Sequence, residues 1–178
     1  MSAINCGIQD NSRPTNSHRP SKGKEIRAKH LMAQLLAIAQ RHKKRADMQQ
    51  LKSANITLNH GTANDFRGKP SQRQVTVLSR EAWEKTCAQL DCDLPWTIRR
   101  ANLLIEGIDL LNSSGQILNI GPVKLLITQE TDPCERMEEA QSGLFKALSV
   151  EWRGGVCCRV LNEGNIQIGD TVEIINAK

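Results

Sequence analysis

Apolar and polar positions alternate in short bursts along most of this chain, and each burst ends at glycine, proline or asparagine. That is the rhythm of strands closed by turns. Ala54–Leu58 alternates and stops at His60-Gly61, Gln74–Leu78 is β-branched, and Leu103–Ile105 precedes Gly107. Gln116–Ile120 runs into Gly121-Pro122, Val123–Thr128 follows, Gly155–Leu161 leads to Asn162–Gly164, and Asp170–Ile175 is the last. Two stretches carry helical marks: Ser79 to about Leu90, with Ser79 as cap and Glu81 and Glu84 early, and about Pro133 to Leu148. Six or more short strands with few helices predict a mainly β fold of barrel type rather than alternating βαβ units. Between Lys24 and Ala39 the apolar residues fall at helical spacing, yet Gln34–Gln40 also reads as a buried strand, and periodicity leaves both open. Residues 1–23 hold Pro14, Pro20 and few apolar anchors, so a disordered polar tail is expected ahead of one domain over residues 24–178.

Composition narrows the class. At 178 residues, 39% hydrophobic and 24% charged, the chain is long enough for one buried core and too apolar for disorder throughout. No apolar run approaches the roughly 20 residues that cross a bilayer. The polar N-terminus lacks the basic-then-apolar order of a secretory signal, and the expected location is the cytoplasm, with no membrane partner. The net charge of +5 is unevenly placed. Residues 1–52 carry eleven Lys/Arg against three Asp/Glu, whereas the remainder is net acidic, and the densest run is Arg41-His42-Lys43-Lys44-Arg45. Such a run suits a solvated loop or an entrance for an anionic ligand. Aromatics make up only 3% with no tyrosine, which leaves few stacking platforms, so specific nucleic-acid binding is not expected.

The chemistry centres on sulfur. The cysteines are Cys6, Cys87, Cys92, Cys134, Cys157 and Cys158, none of them in Cys-x-x-Cys spacing, and they read as reduced thiols. Cys157 and Cys158 lie in an alternating strand, which predicts one facing the core and one facing away. Cys134 follows a strand ending near Thr128. Asp132 is expected to cap a helix with Pro133 at its first position, which puts Cys134 in the first turn, where backbone N–H groups favour the thiolate that ligates metal, carries sulfur or attacks. The alternative is an inert packed cysteine. His18, His30, His42 and His60 never pair at zinc-ligand spacing, and no phosphate-loop, dinucleotide or nucleophile-elbow motif is present.

Several segments in order resemble the MOSC family, named for the C-terminal domain of molybdenum cofactor sulfurases. They are Arg73–Leu78, Arg100-Ala-Asn102 with Glu106–Leu110, Gly121–Thr128, Pro133-Cys134, Arg153–Val156, and Arg159–Gly164 followed by Ile168–Val172, spanning about residues 60–176. The resemblance implies a compact MOSC-type β-barrel with a site for molybdenum cofactor, and it favours a strand over Leu35–Gln40. It also implies that Cys134 is the catalytic position, whose sulfur binds molybdenum or carries sulfide, with Arg73, Arg100, Asn102 and Arg153 around the cofactor. By likeness to the amidoxime-reducing relatives, Arg100 offers a guanidinium to phosphate and Asn102 an amide to pterin edges. Without that likeness Arg99-Arg100 reads as a surface pair. Arg41–Arg45 then fits a mouth that attracts the anionic cofactor. Asn64–Arg67 stands where the family often carries Gly-Asp-Arg/Lys, and the sulfurase's pyridoxal-phosphate domain is not expected here.

Two functions follow from the likeness. One is a small molybdenum oxidoreductase reducing N-hydroxylated compounds, a small-molecule substrate, with a separate electron-donor protein because no flavin or iron–sulfur signature is seen. The other is a non-redox module that delivers the cofactor or carries sulfur on Cys134, taken from a sulfur-donor protein.

Overall fold

The structure, a computed structural model, describes residues 32–176; the expected tail, the helical reading of residues 24–31 and Cys6 lie outside them. Eleven strands and three α-helices are present among the described residues. The strands are β1 (Gln34–Gln40), β2 (Gln49–Leu51), β3 (Ser53–Thr57), β4 (Gly61–Thr62), β5 (Val75–Ser79), β6 (Leu103–Glu106), β7 (Gln116–Ile120), β8 (Val123–Glu130), β9 (Val156–Asn162), β10 (Gly164–Gln167) and β11 (Val172–Asn176). The helices are α1 (Arg80–Gln89), α2 (Glu135–Ala140) and α3 (Leu144–Leu148), and a 3-10 turn covers Trp96–Arg99. The fold is mainly β with a few helices.

Eight strands form one sheet in the order β11-β7-β8-β9-β5-β6-β1-β2, and β10-β3-β4 form a second. All pairings are antiparallel except β5 with β6, whose connection runs through α1 and the 3-10 turn. No ladder closes the large sheet into a barrel. The start of β11 meets β1 at a single bridge, Gln34 to Thr171, with Val172 N–H donating to the Ala33 carbonyl at 2.8 Å.

Two apolar clusters explain which strands read as continuous hydrophobic runs. The larger gathers Leu35, Ile38, Ile56, Val77, Leu103, Ile105, Leu118, Leu125, Ile127 and Val156. The smaller joins Leu78 and Leu104 on the opposite face to Trp83, Met137, Leu144 and Leu148 from the helices. Strand β6 is therefore covered on both faces and carries no alternation. The same cover corrects the expectation for β9, where both Cys157 and Cys158 are fully buried.

Helix α1 begins where the sequence predicts. The Ser79 hydroxyl accepts from Ala82 N–H, and Trp83, Thr86 and Cys87 turn inward at helical spacing. The helix expected over residues 133–148 is instead two short ones. Gln141 is extended and Gly143 left-handed at φ 81°, and the Glu138 carboxylate accepts from Gly143 N–H at 2.8 Å to start α3. Cys134, not Asp132, is the residue before the first helical position. Thr131 N–H still donates to the Gly155 carbonyl, so the chain stays extended for several residues past β8.

Candidate functional site

A cavity of about 710 Å3 opens where the β1–β2 loop, the β4–β5 loop, the 3-10 turn and α2 converge. Topology sets this convergence. Antiparallel β1 and β6 bring the end of β1 against Asn102, where Ala39 N–H donates to the Asn102 carbonyl at 2.7 Å. Parallel β5 brings Thr76 to the same residue. The Asn102 side chain ties these strands together: its Oδ1 accepts from Thr76 N–H and the Thr76 hydroxyl, both at 3.0 Å, and its Nδ2 donates to the Ala39 carbonyl and toward Asp65. Asn102 lines the cavity, but its amide is engaged by protein groups.

The walls are cationic. Seven arginines and one lysine line the cavity against three carboxylates, Asp65, Glu135 and Glu139. Arg41, Lys44 and Arg45 come from the basic run, Arg67 from the β4–β5 loop, and Arg73, Arg99, Arg100 and Arg136 from the remainder of the chain. Three guanidinium nitrogens, Arg73 Nε and Arg100 Nε and Nη2, are buried without a hydrogen-bond partner. Donors left in this state cost stability that an acceptor ligand would return. Burial lowers the affinity of Arg100 for its proton, and repulsion from Arg136 adds to the effect. Asp65 holds its loop to the sheet by accepting from Arg41 N–H at 3.0 Å and Arg67 N–H at 2.9 Å, and burial raises its carboxyl above the usual range.

Cys134 is exposed in this cavity, beside Pro133 and with Arg99 and Arg100 as charged neighbours. The chain leading to it is latched from below. Arg99, only 5% exposed, donates through Nε to the Gly154 carbonyl at 2.8 Å and through Nη2 to the Thr131 carbonyl at 2.7 Å. Burial and then repulsion from Arg73 pull the Arg99 guanidinium down to about 10. Gly154 is packed so closely here that a Cβ would stand 2.3 Å from the Thr131 oxygen. Arg99 is thus the residue of the candidate site that sequence reading passes over, since an Arg-Arg pair reads as surface until the two carbonyls that bury it are known.

Of the residues singled out from sequence, Cys134, Arg73, Arg100 and Asn102 share this cavity. Arg153 is not among its lining residues. It is buried, with Nη1 donating to Gln89 Oε1 and Nη2 paired with Glu151 at 3.0 Å, which holds the turn before β9 to α1. The chain's only phenylalanines, Phe66 and Phe145, were not expected to matter, yet both line the cavity with 46% and 41% of their surface exposed. Among the described residues no group of three or more His, Cys, Asp or Glu is placed to hold a metal, and no helix is long and apolar enough to cross a membrane. Among the residues that line this cavity Cys134 is the one thiol, set among cationic side chains.

Known structures share the architecture. The YuaD protein from Bacillus subtilis superposes with a TM-score of 0.69 at 18% identity, covering 83% of this chain and 98% of that one. YiiM from Geobacillus stearothermophilus gives 0.65 at 17% identity over 81% of this chain and 75% of that one. YiiM from Escherichia coli gives 0.61 at 15% identity over 82% and 71%. No curated protein matches the sequence. The MOSC domain model matches residues 33–173, the greater part of the chain, and the protein belongs to the MOSC family.

Proposed function

We propose that this protein binds molybdenum cofactor in the cationic cavity and works as a small molybdenum oxidoreductase that reduces N-hydroxylated compounds. The observation that carries the reading is one exposed thiol, Cys134, in a cavity walled by eight cations, three of whose buried guanidinium nitrogens lack partners. A phosphate-bearing, sulfur-rich metal ligand matches that donor set: Arg73, which lines this cavity with its Nε unpartnered, holds the phosphate, and Cys134 ligates the metal as a thiolate. The half-exposed faces of Phe66 and Phe145 suit a planar ring system. Asn102 serves as a positioning residue through Thr76, Ala39 and Asp65. The cofactor supplies, when bound, a metal able to pass an electron pair to a substrate N–O bond. Reduction of N–OH to N–H consumes two electrons and two protons and releases water. The electrons come from a separate donor protein, and the carboxylates of Asp65, Glu135 and Glu139 are the cavity groups able to carry protons.

A second reading, in which Cys134 carries sulfur or the protein delivers the cofactor elsewhere, draws on the exposure of that thiol. Metal analysis separates the two. Protein purified from a cofactor-producing bacterial host is expected to hold about one molybdenum per chain. Cys134→Ser is expected to lower that content about tenfold or more, while the cofactor-free variant and cofactor-free wild type share one thermal midpoint, because the side chain is exposed. Folded wild-type protein without molybdenum would overturn the oxidoreductase reading, and a persulfide on Cys134 in such protein would establish the carrier.

A further inference from the structure

A second cavity, of about 680 Å3, lies beside the first. Its walls are the Arg45–Met48 segment, the 3-10 turn at Thr97 and Ile98, and α2 as far as Ala140. Arg45, Arg100, Arg136, Met137 and Glu139 stand in both cavities and form the septum between them. Cys134, Arg73, Thr76 and Asn102 belong to the first cavity alone. The second cavity has no cysteine in its wall, and Asp47 and Thr97 are its own polar side chains.

The septum is built for an anion. Arg100 and Arg136 are near enough to repel one another, and neither is ion-paired among the described residues. Arg100 also keeps a left-handed backbone at φ 65°, with its N–H donated to the Thr97 carbonyl at 3.0 Å, so its side chain is held at the septum from the end of the turn. Like charges placed side by side without an ion-pair partner cost free energy, and a shared anionic group removes that cost. Beyond the septum the lining is mainly apolar, with Ala46, Met48, Ile98 and Ala140, while Asp47 there and Glu139 in the septum oppose a second anionic group. One charged end and one apolar end call for a ligand divided in the same way.

We propose that the second cavity is a ligand subsite for an amphipathic organic anion, its carboxylate or phosphate head at Arg100 and Arg136 and its apolar body against Met48 and Ile98. In naming this anion as the substrate presented to the first cavity, the inference rests on the function proposed above; the subsite itself does not.

Methionine methyl groups give a local readout. Met48 lines the second cavity only, Met137 lines both, and the chain has four methionines in all. In full-length protein labelled with 13C-methyl methionine, phenyl phosphate is expected to shift the Met48 signal saturably, and inorganic phosphate at the same concentration is expected to leave it in place. Ile98→Asp should weaken phenyl phosphate binding about tenfold at Met48 while molybdenum content stays at the wild-type level. Ala140→Glu, at an exposed position, serves the same purpose should Ile98→Asp fail to fold. A Met48 signal that ignores saturating phenyl phosphate, that moves equally with inorganic phosphate, or that responds unchanged in the folded variants would overturn the subsite. Protein that lacks molybdenum but shows the Met48 titration keeps the subsite and removes the cofactor reading.

Discussion

Gly154→Ala loads the latch beneath Cys134 directly. A Cβ at this position stands 2.3 Å from the Thr131 carbonyl oxygen and 3.0 Å from Arg99 Nη2, whereas ordinary carbon contacts begin near about 3.5 Å. The carbonyl must retreat by roughly 1 Å, which carries it out of reach of the guanidinium that now donates to it at 2.7 Å. Overpacking costs about 1–3 kcal/mol, and losing a hydrogen bond from a charged donor to a buried carbonyl costs about 1.5–3 kcal/mol. A combined loss of about 3–5 kcal/mol lowers the melting temperature by roughly 6–20 °C in a chain of this length. Thermal unfolding followed by circular dichroism reads it. Gly115→Ala is the control: its φ is 84° with nothing within 4 Å, so only the left-handed backbone penalty of about 1–2 kcal/mol applies. Arg99→Met removes the donor to the same carbonyl. The double variant should therefore lose less than the sum of the singles by about 1 kcal/mol or more. A Gly154→Ala protein melting within about 3 °C of wild type, or strict additivity with Arg99→Met, would refute the latch.

Glu81 gives an acid-side test. Burial raises its carboxyl, but the Gly107 N–H at 2.8 Å, the Ser79 hydroxyl at 2.7 Å and Arg80 together bring it below its ordinary value. A carboxylate depressed in this way stabilises the fold above its unfolded pKa, and the benefit is lost as pH falls through the folded value. Because the group is largely exposed, Glu81→Gln should cost only about 0.5–1 kcal/mol at pH 7. The gap between the two melting temperatures should narrow as pH falls below the ordinary glutamate value of 4.5; a constant gap would contradict the linkage. Thiol mapping by alkylation and mass spectrometry should label Cys134 in the native protein while fully buried Cys157 and Cys158 stay protected until unfolding, burial pushing the Cys158 thiol further up. Labelling of Cys158 at the rate of Cys134 would show that β9 is not packed as described.

Strands bounded by strong turn chemistry were legible to the residue. Gln116–Ile120 is one, because Gly121 takes φ 52° and the hairpin to β8 fixes its register. The missed strands β2, β4 and β10 are short and largely polar, held by ladder hydrogen bonds to β1 and β3, and Ile166 is the one fully buried hydrophobic residue they supply. Gln34–Gln40 is ambiguous for the opposite reason: pairing with β6 on one side and β2 on the other makes it a strand, and β6, which meets it over most of its length, is distant in sequence. Cys134 could be found from its neighbours in sequence. Arg99 could not, since its two partners lie 32 and 55 residues away.

Charge shows most clearly what folding adds to composition. The basic run supplies only Arg41, Lys44 and Arg45 to the first cavity, while five of its eight cations come from the part of the chain that is acidic overall. The field at Cys134 is thus assembled by the crossing of strand ends, not by the net charge of any segment. A concave wall with this excess focuses potential on an anionic visitor. Screening shortens its reach to about 8 Å at physiological salt. Distant surface carboxylates consequently do little to cancel it, and the acidic balance of residues 53–178 leaves the cationic field of the cavity intact.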